Sequence, residues 1–215
     1  MKILNLYACL GGNRFKWGDE HEIVAVEWDE ELAKLYKQRF PNDEVIVADA
    51  HEYLLKNFRS FDFIWSSPPC PSHSRAAFGS RKSTKAGHKP LYPDMTLYQE
   101  IIFLQHYFEG KFVVENVVPY YEPLIYGHKR GRHIYWTNFR IPSVLSDRKS
   151  VGMESRNEID QWCEFHQYDF RQYQGKQTVQ KIARNLVDYE AGKTILDAAL
   201  GVMRKQNASQ TQMTF

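Results

Sequence analysis

The chain has 215 residues, 43% of them hydrophobic and 25% charged, with a net charge of +2. That length supports one full core with a small appended lobe, and a charge so balanced cannot argue nucleic-acid binding unless the cations are locally concentrated. Cys9, Cys70 and Cys163 have neither metal-ligand spacing nor a disulfide framework, so no metal is expected and a reducing compartment suits them; no signal peptide or membrane span is visible, which points to the cytoplasm.

Lys2 to Tyr7 is an apolar-rich run that ends in a turn at Gly11-Gly12. Glu22 to Trp28 is a second strand. Asp29 caps a helix through Phe40, with Leu32, Leu35 and Tyr36 on one face. Glu44 to Val47 is a third strand and Phe61 to Trp65 a fourth. Asp94 caps a helix carrying Leu97, Ile101, Leu104 and Phe108. Lys111 to Glu115 is the fifth strand, and Ile134-Tyr135-Trp136 belongs to a later strand pair. Strand–helix alternation predicts an α/β fold, a mostly parallel sheet with helices on both faces. From Phe139 to Gln180 the apolar periodicity weakens and aromatics alternate with polar residues. This reads either as a poorly patterned insertion or as a small recognition lobe. Asp188 to Met203 returns to a helix with Ala191, Ile195, Ala198 and Val202 on one face, which packs back on the first domain. The expected division is a catalytic core over 1–138, a lobe over 139–181, a returning helix over 182–205 and a fraying tail over 206–215.

Chemistry concentrates at strand ends. Ser66-Ser67-Pro68-Pro69-Cys70 follows the fourth strand, and its prolines stop the ladder, presenting the thiol just past the strand. The fifth strand closes with Glu115-Asn116-Val117. A thiol, an acid and an amide converging on one sheet edge form a nucleophile-plus-acid arrangement. The first strand runs into a glycine turn, which on its own is equally well explained as a tight turn. The second strand ends in Glu27-Trp28, a carboxylate for ribose hydroxyls and an indole that either covers an adenine face or is only a core residue. Asp49, in Val47-Ala48-Asp49-Ala50, either accepts from the adenine amino group or only caps the next helix. Together these strand ends favour a nucleoside cofactor.

These motifs, in this order, resemble the DNA (cytosine-5) methyltransferase family. Asn5 to Gly12 corresponds to its first motif, Pro69-Cys70 to its Pro-Cys motif and Glu115-Asn116-Val117 to its Glu-Asn-Val motif. His128-Lys129-Arg130-Gly131-Arg132 corresponds to its Gln-x-Arg-x-Arg motif, and Arg184-Asn185-Leu186-Val187 to its closing segment. The resemblance implies a Rossmann-like enzyme using S-adenosylmethionine on double-stranded DNA. It implies Cys70 as the nucleophile at cytosine C6, with Glu115 at N3 and the exocyclic amine. Asn116 would orient backbone, Arg132 would contact O2, and Arg130 would contact a phosphate or the catalytic loop. Cofactor contacts are implied at Tyr7, Ala8, Cys9, Leu10, Gly11, Gly12, Glu27, Trp28, Asp49, Ala50, Pro69, Asn185 and Leu186. Asn5, Cys9, Pro71, His128 and Arg184 depart from the family's usual residues at their positions.

The segment from Ser72 to Tyr92 carries Arg75, Arg81, Lys82, Lys85 and Lys89 and no acid. With Ser72 and Ser74 it is expected to be a mobile DNA-contacting loop. Arg184 opens an alternative, transfer of a carboxymethyl group from carboxy-S-adenosylmethionine, because a cation there could pair with the extra carboxylate. A catalytically silent DNA-binding module is a further alternative, against which the intact Cys70 and Glu115 stand, and RNA remains open as a substrate. A monomer is expected, with room for a DNA-binding partner, in a bacterial or virus-infected bacterial cell.

Overall fold

The computed structural model describes residues 1–83, 91–149, 151 and 157–202, without the side chains of 80–83. Among these residues seven strands form one sheet in the order β3-β2-β1-β4-β5-β7-β6. They are β1 Lys2–Leu6, β2 Glu22–Glu27, β3 Glu44–Val47, β4 Phe63–Ser66, β5 Lys111–Val117, β6 His128–Arg130 and β7 His133–Thr137. The first five are parallel to one another, and β7 runs antiparallel between β5 and β6. The chain winds outward from β1 to β3, then returns to place β4 on the other side of β1. Such a reversal opens a crevice beyond the carboxyl ends of β1 and β4.

Among the described residues seven α-helices accompany the sheet: α1 Glu30–Arg39, α2 Ala50–Asn57, α3 Arg75–Ser83, α4 Thr96–Tyr107, α5 Glu158–His166, α6 Val179–Asn185 and α7 Tyr189–Leu200. Alternation along each strand sorts the core into two layers. Leu4, Leu6, Val24, Val26, Ile64 and Val114 face α2 and α4, where they meet Leu54, Leu97, Ile101 and Leu104. Ile3, Ile23, Phe63, Trp65 and Val113 face the other way and are covered by Ala191, Ile195, Leu196 and Ala199 of α7, with Trp17 wedged beside them. This is the sandwiched, largely parallel sheet that the sequence predicts, a Rossmann-like α/β fold. Among the described residues no helix is long and apolar enough to cross a membrane.

Three local expectations change. Asp29 caps α1 as read, its Oδ1 accepting from the Glu31 and Leu32 amides at 3.1 and 3.2 Å. Asp94, however, lies one residue outside the cap of α4, which is Met95; its Oδ1 accepts from the Thr96 amide at 3.0 Å. The basic segment after Cys70 opens as α3, where a loop was expected, because Ser74 starts the helix by accepting from the Ala77 amide. The aromatic–polar stretch after Phe139 contains α5 and α6. With the short turn between them they bury Trp162, Phe170, Tyr173 and Ile182 against Leu10, Leu32 and Leu35.

Candidate functional site

The turn after β1 is built for close approach. Tyr7, Cys9 and Gly11 all hold left-handed backbone, with φ of 55°, 47° and 66°. For Tyr7 and Cys9 this costs about 1–2 kcal/mol each, since Cβ crowds the carbonyl. A Cβ on Gly12 would stand 2.3 Å from the Val187 carbonyl oxygen and 2.6 Å from Leu186 Cγ, so only glycine lets the turn touch the segment before α7. Asn5, where the family has an acid, pairs its amide with that of Asn13: Asn13 Nδ2 donates to Asn5 Oδ1 at 2.8 Å and Asn5 Nδ2 to Asn13 Oδ1 at 3.4 Å. An aspartate could make only one of these bonds.

Glu27 closes β2 almost fully buried. Its Oε2 accepts from the Cys9 amide at 2.8 Å and its Oε1 from the Asp29 amide at 3.0 Å. Each oxygen keeps acceptor capacity for a ligand. Burial raises its pKa, and the amide hydrogen bonds oppose that. Trp28 is 72% exposed and lines the cleft beside the same turn, so it is not a core residue.

The nucleophile segment is tied down from two sides. Asn116 Nδ2 donates to the Pro68 carbonyl at 2.9 Å, while its Oδ1 accepts from the Val117 amide at 2.9 Å. The Cys70 carbonyl accepts from the His73 and Ser74 amides, both at 3.0 Å, so the cysteine heads the turn into α3. Beneath it, the fully buried Glu100 accepts from Tyr7 Oη at 2.6 Å and Ser66 Oγ at 2.6 Å, and lies 3.1 Å from His51 Nδ1. This carboxylate locks the β1 turn, the end of β4 and the start of α2 into one arrangement.

Cys70, Glu115, Asn116, Arg130 and Arg132 line one cleft of about 600 Å3. Tyr7, Ala8, Cys9, Gly12, Glu27, Trp28, Pro69, Asn185 and Leu186 line the same cleft. Burial first, and the Glu115 carboxylate second, push the Cys70 thiol up to about 11, while Lys181 across the cleft works the other way. Arg130 is tied to backbone, donating from Nε to the Pro142 carbonyl at 2.7 Å and from Nη1 to the carbonyl of its neighbour Lys129 at 2.9 Å. Arg132 is exposed on the turn after β6.

The remaining expected residues sit elsewhere. Leu10 is fully buried in the α1–α6 cluster, Gly11 backs onto Tyr36 and Phe40, and Ala50 lies in the core at the start of α2. Asp49 does cap α2, accepting from the Glu52 amide at 2.8 Å. It lines a second cavity of about 340 Å3 that shares Tyr7, Pro68 and Pro69 with the first. Ser72 is buried and its Oγ accepts from the Asp94 amide at 3.1 Å, while Arg75 Nε donates to the Pro119 carbonyl at 2.8 Å. With Ser74, these groups hold α3 to the strand edge. The side chains of Arg81 and Lys82, and all of Lys85, Lys89 and the tail, lie outside the described residues. Arg184 grips Glu158 through two bonds of 2.5 and 2.6 Å at the cleft edge. Among the described residues no group of histidine, cysteine and acidic side chains could hold a metal.

The family model for C-5 cytosine-specific DNA methylases matches residues 1–120. The chain belongs to this family. It is therefore an S-adenosylmethionine-dependent methyltransferase whose substrate class is DNA. The match includes Cys70, Glu115 and Asn116; Arg130, Arg132, Asn185 and Leu186 lie beyond it. Among solved structures, a DNMT2 variant from Spodoptera frugiperda is 26% identical over 54% of this chain and 35% of its own, with a TM-score of 0.36. A hypothetical protein of Thermus thermophilus is 19% identical over 63% of this chain and 73% of its own, TM-score 0.40. The methyltransferase EhMeth of Entamoeba histolytica is 11% identical over 70% and 58%, TM-score 0.40. With overlaps this partial, membership rests on the family match. No curated protein matches the chain.

Three cleft or hub residues escape a reading of the sequence. Glu100 is the one acid on the otherwise apolar face of α4, a pattern that does signal a buried hub. His133 follows Arg132 directly. Lys181 precedes the closing segment by one helical turn.

Proposed function

We propose that this protein methylates C5 of cytosine in DNA, with Cys70 as the nucleophile and Glu115 as the acid at N3. The observation that carries the reading is that Cys70, Glu115 and Arg132 open into the same cleft as Gly12, Glu27 and Trp28. The cleft fits the family's cofactor. Glu27 has acceptor capacity for ribose hydroxyls, Trp28 offers an open ring for adenine, and Asp49 lies in the adjoining cavity where an amino group could reach it. Bound S-adenosylmethionine supplies an electrophilic methyl group on a sulfonium.

The protein's own residues make the base reactive. Cytosine C5 is a poor nucleophile and lies out of reach inside a duplex, so the base must be extruded. The Cys70 thiolate adds to C6 as Glu115 passes a proton to N3, leaving an enamine pair at C5. After C5 is alkylated, loss of its proton to a base restores the 5,6 double bond and expels the thiolate, and N3 returns its proton to Glu115. Arg132 donates to O2, where charge accumulates during addition. Arg184 is already engaged by Glu158, which favours the ordinary cofactor over a carboxylated one.

A duplex containing 5-fluorocytosine tests the mechanism, because fluorine cannot leave as a proton does. Wild type with S-adenosylmethionine should form a covalent adduct at Cys70, and Cys70→Ser should form none. Nucleoside mass spectrometry of ordinary DNA should show 5-methylcytosine. Methyl transfer to cytosine with no adduct at Cys70 would mean that the C6-thiolate route is wrong.

A further inference from the structure

Glu100 is a fully buried acid to which, among the described residues, no lysine or arginine is paired. What faces it is His51, whose Nδ1 lies 3.1 Å from Glu100 Oε1. Tyr7 Oη and Ser66 Oγ donate to the same carboxylate, and burial holds the Tyr7 phenol far above its ordinary pKa, so it stays a donor. A carboxylate can only accept, so His51 Nδ1 carries the hydrogen of its bond and the ring orientation is fixed. His51 sits in the first turn of α2 with its side chain 24% exposed, and it lines the cavity of about 340 Å3 together with Asp49. Among the described residues nothing bonds its Nε2. The hydrogen bond to Glu100 raises the His51 pKa from the ordinary 6.5, against the opposing effect of burial, which widens the pH range in which Nε2 carries a hydrogen. Asp49 uses Oδ1 on the Glu52 amide and keeps acceptor capacity. The cavity thus offers a donor and an acceptor from two positions on the first turn of one helix.

We propose that His51 is a specificity-determining residue for the cofactor's base, its Nε2–H donating to adenine N1 while Asp49 accepts from the N6 amino group. The inference rests on the reading of Glu27, Trp28 and Asp49 as an adenosine site. Adenine presents a donor, the N6 amino group, next to an acceptor, N1. Hypoxanthine and guanine present the reverse pair, so the same two side chains leave unpaired groups against them. Glu100 and Tyr7 act one step behind: the carboxylate orients the imidazole, and its bond to Tyr7 ties that orientation to the turn after β1. The titratable groups packed around His51 are Glu100 of α4, Asp49 and Glu52 of α2, Tyr7 of the β1 turn, Asp94 ahead of α4 and His73 after the nucleophile. Asp49 and Asp94 add to the hold on a proton at His51, while burial lowers the His73 pKa and keeps that ring neutral. Because the folded pKa of His51 is raised, the N1 contact is complete below it and is lost as pH rises through it, when Nε2 becomes an acceptor facing an acceptor.

Calorimetry with S-adenosylhomocysteine and with its 1-deaza and 7-deaza forms tests this, from about pH 6 to about pH 9. Wild type should bind the 1-deaza form about tenfold more weakly than S-adenosylhomocysteine, the loss of one charge-assisted hydrogen bond, and the 7-deaza form within about twofold. His51→Ala should bind S-adenosylhomocysteine about tenfold more weakly at the acid end and no longer distinguish the 1-deaza form. His51→Gln, whose amide donates at any pH, should recover most of the affinity with a flat pH profile. In wild type the fall in affinity should track the titration of the His51 imidazole, followed by NMR in the ligand-free protein, and Glu100→Gln should move that titration to lower pH. Equal affinity of wild type for S-adenosylhomocysteine and its 1-deaza form overturns the proposal, as does a larger loss for the 7-deaza form. A loss in His51→Ala that is the same at every pH, with discrimination against the 1-deaza form kept, marks a structural role and overturns it too. Wild type that binds no S-adenosylhomocysteine would instead remove the adenosine reading beneath it.

Discussion

Removing the charge of Glu115 should make Cys70 a more reactive thiol and the protein a poorer enzyme. The cleft raises that thiol from the ordinary 9.0 to about 11, by burial first and by the Glu115 carboxylate second. At pH 8 those two values correspond to roughly one thiolate in ten and roughly one in a thousand, so the site withholds about a hundredfold of nucleophile. Burial is the larger cause and the carboxylate the second, so part of that suppression should remain when the charge is removed. Glu115→Gln should therefore speed alkylation of Cys70 by iodoacetamide at pH 8 by about three- to tenfold in the ligand-free protein. Peptide mass spectrometry separates Cys70 from Cys9 and Cys163. The same variant should lose at least about 100-fold in methyl transfer, because the proton donor to N3 is gone. Opposite movement of the two readouts is the signature, since it implies that the resting site suppresses the thiolate until Glu115 is neutral. Alkylation that is unchanged or slower in Glu115→Gln would refute the electrostatic reasoning.

Other consequences can be measured separately. Trp28→Ala should weaken S-adenosylhomocysteine binding by about 1–2 kcal/mol through loss of an aromatic face, read by calorimetry; unchanged affinity would move the adenine elsewhere. Cys9→Gly should raise stability by about 1 kcal/mol in urea melts, because the left-handed φ of 47° suits glycine. His166 stacks on Trp162 at 5.6 Å with both ring nitrogens unpartnered among the described residues, and burial, aided by Arg39 and Arg148, pushes its pKa down to about 3. Its folded value lies below the ordinary one, so its contribution is complete above about pH 6.5 and is lost as pH falls towards 3. Between pH 7 and pH 5, His166→Phe should lose about 2 kcal/mol less stability than wild type does; identical pH dependence in the two proteins would contradict this.

Much of the fold was legible because alternation and punctuation agree. β3 begins and ends where the sequence places it, Pro68 and Pro69 end the run after β4, and Asp29 caps α1. The helices that escaped have physical reasons. α3 is rich in cations and small residues, so no apolar stripe marks it. α6 packs Val179, Ile182, Ala183 and Leu186 at helical spacing and α5 buries Trp162 and His166 one turn apart, but each helix is short, so the period repeats too few times to stand out. The thiol, the acid and the glycine turn were legible as strand-end residues, and they line one cleft. Which hydroxyls and guanidinium groups reach a ligand was not legible, because that depends on contacts across the chain: Ser72 with Asp94, Arg75 with Pro119, Arg130 with Pro142.

The contact of Gly12 with Leu186 and Val187 bears on when the protein first becomes competent during its synthesis. The backbone that closes the turn at Gly12 is translated some 175 residues after it. The same holds for Asn13, against which Gly192 of α7 packs so tightly that a Cβ would stand 2.3 Å from its carbonyl oxygen. A ribosome-bound nascent chain therefore carries Cys70 and Glu115 well before it has the backbone that closes the turn after β1. Cys70 and Glu115 emerge before Leu186 and Val187, so a chain stalled before residue 185 would display the thiol and the acid beside a turn that is still open.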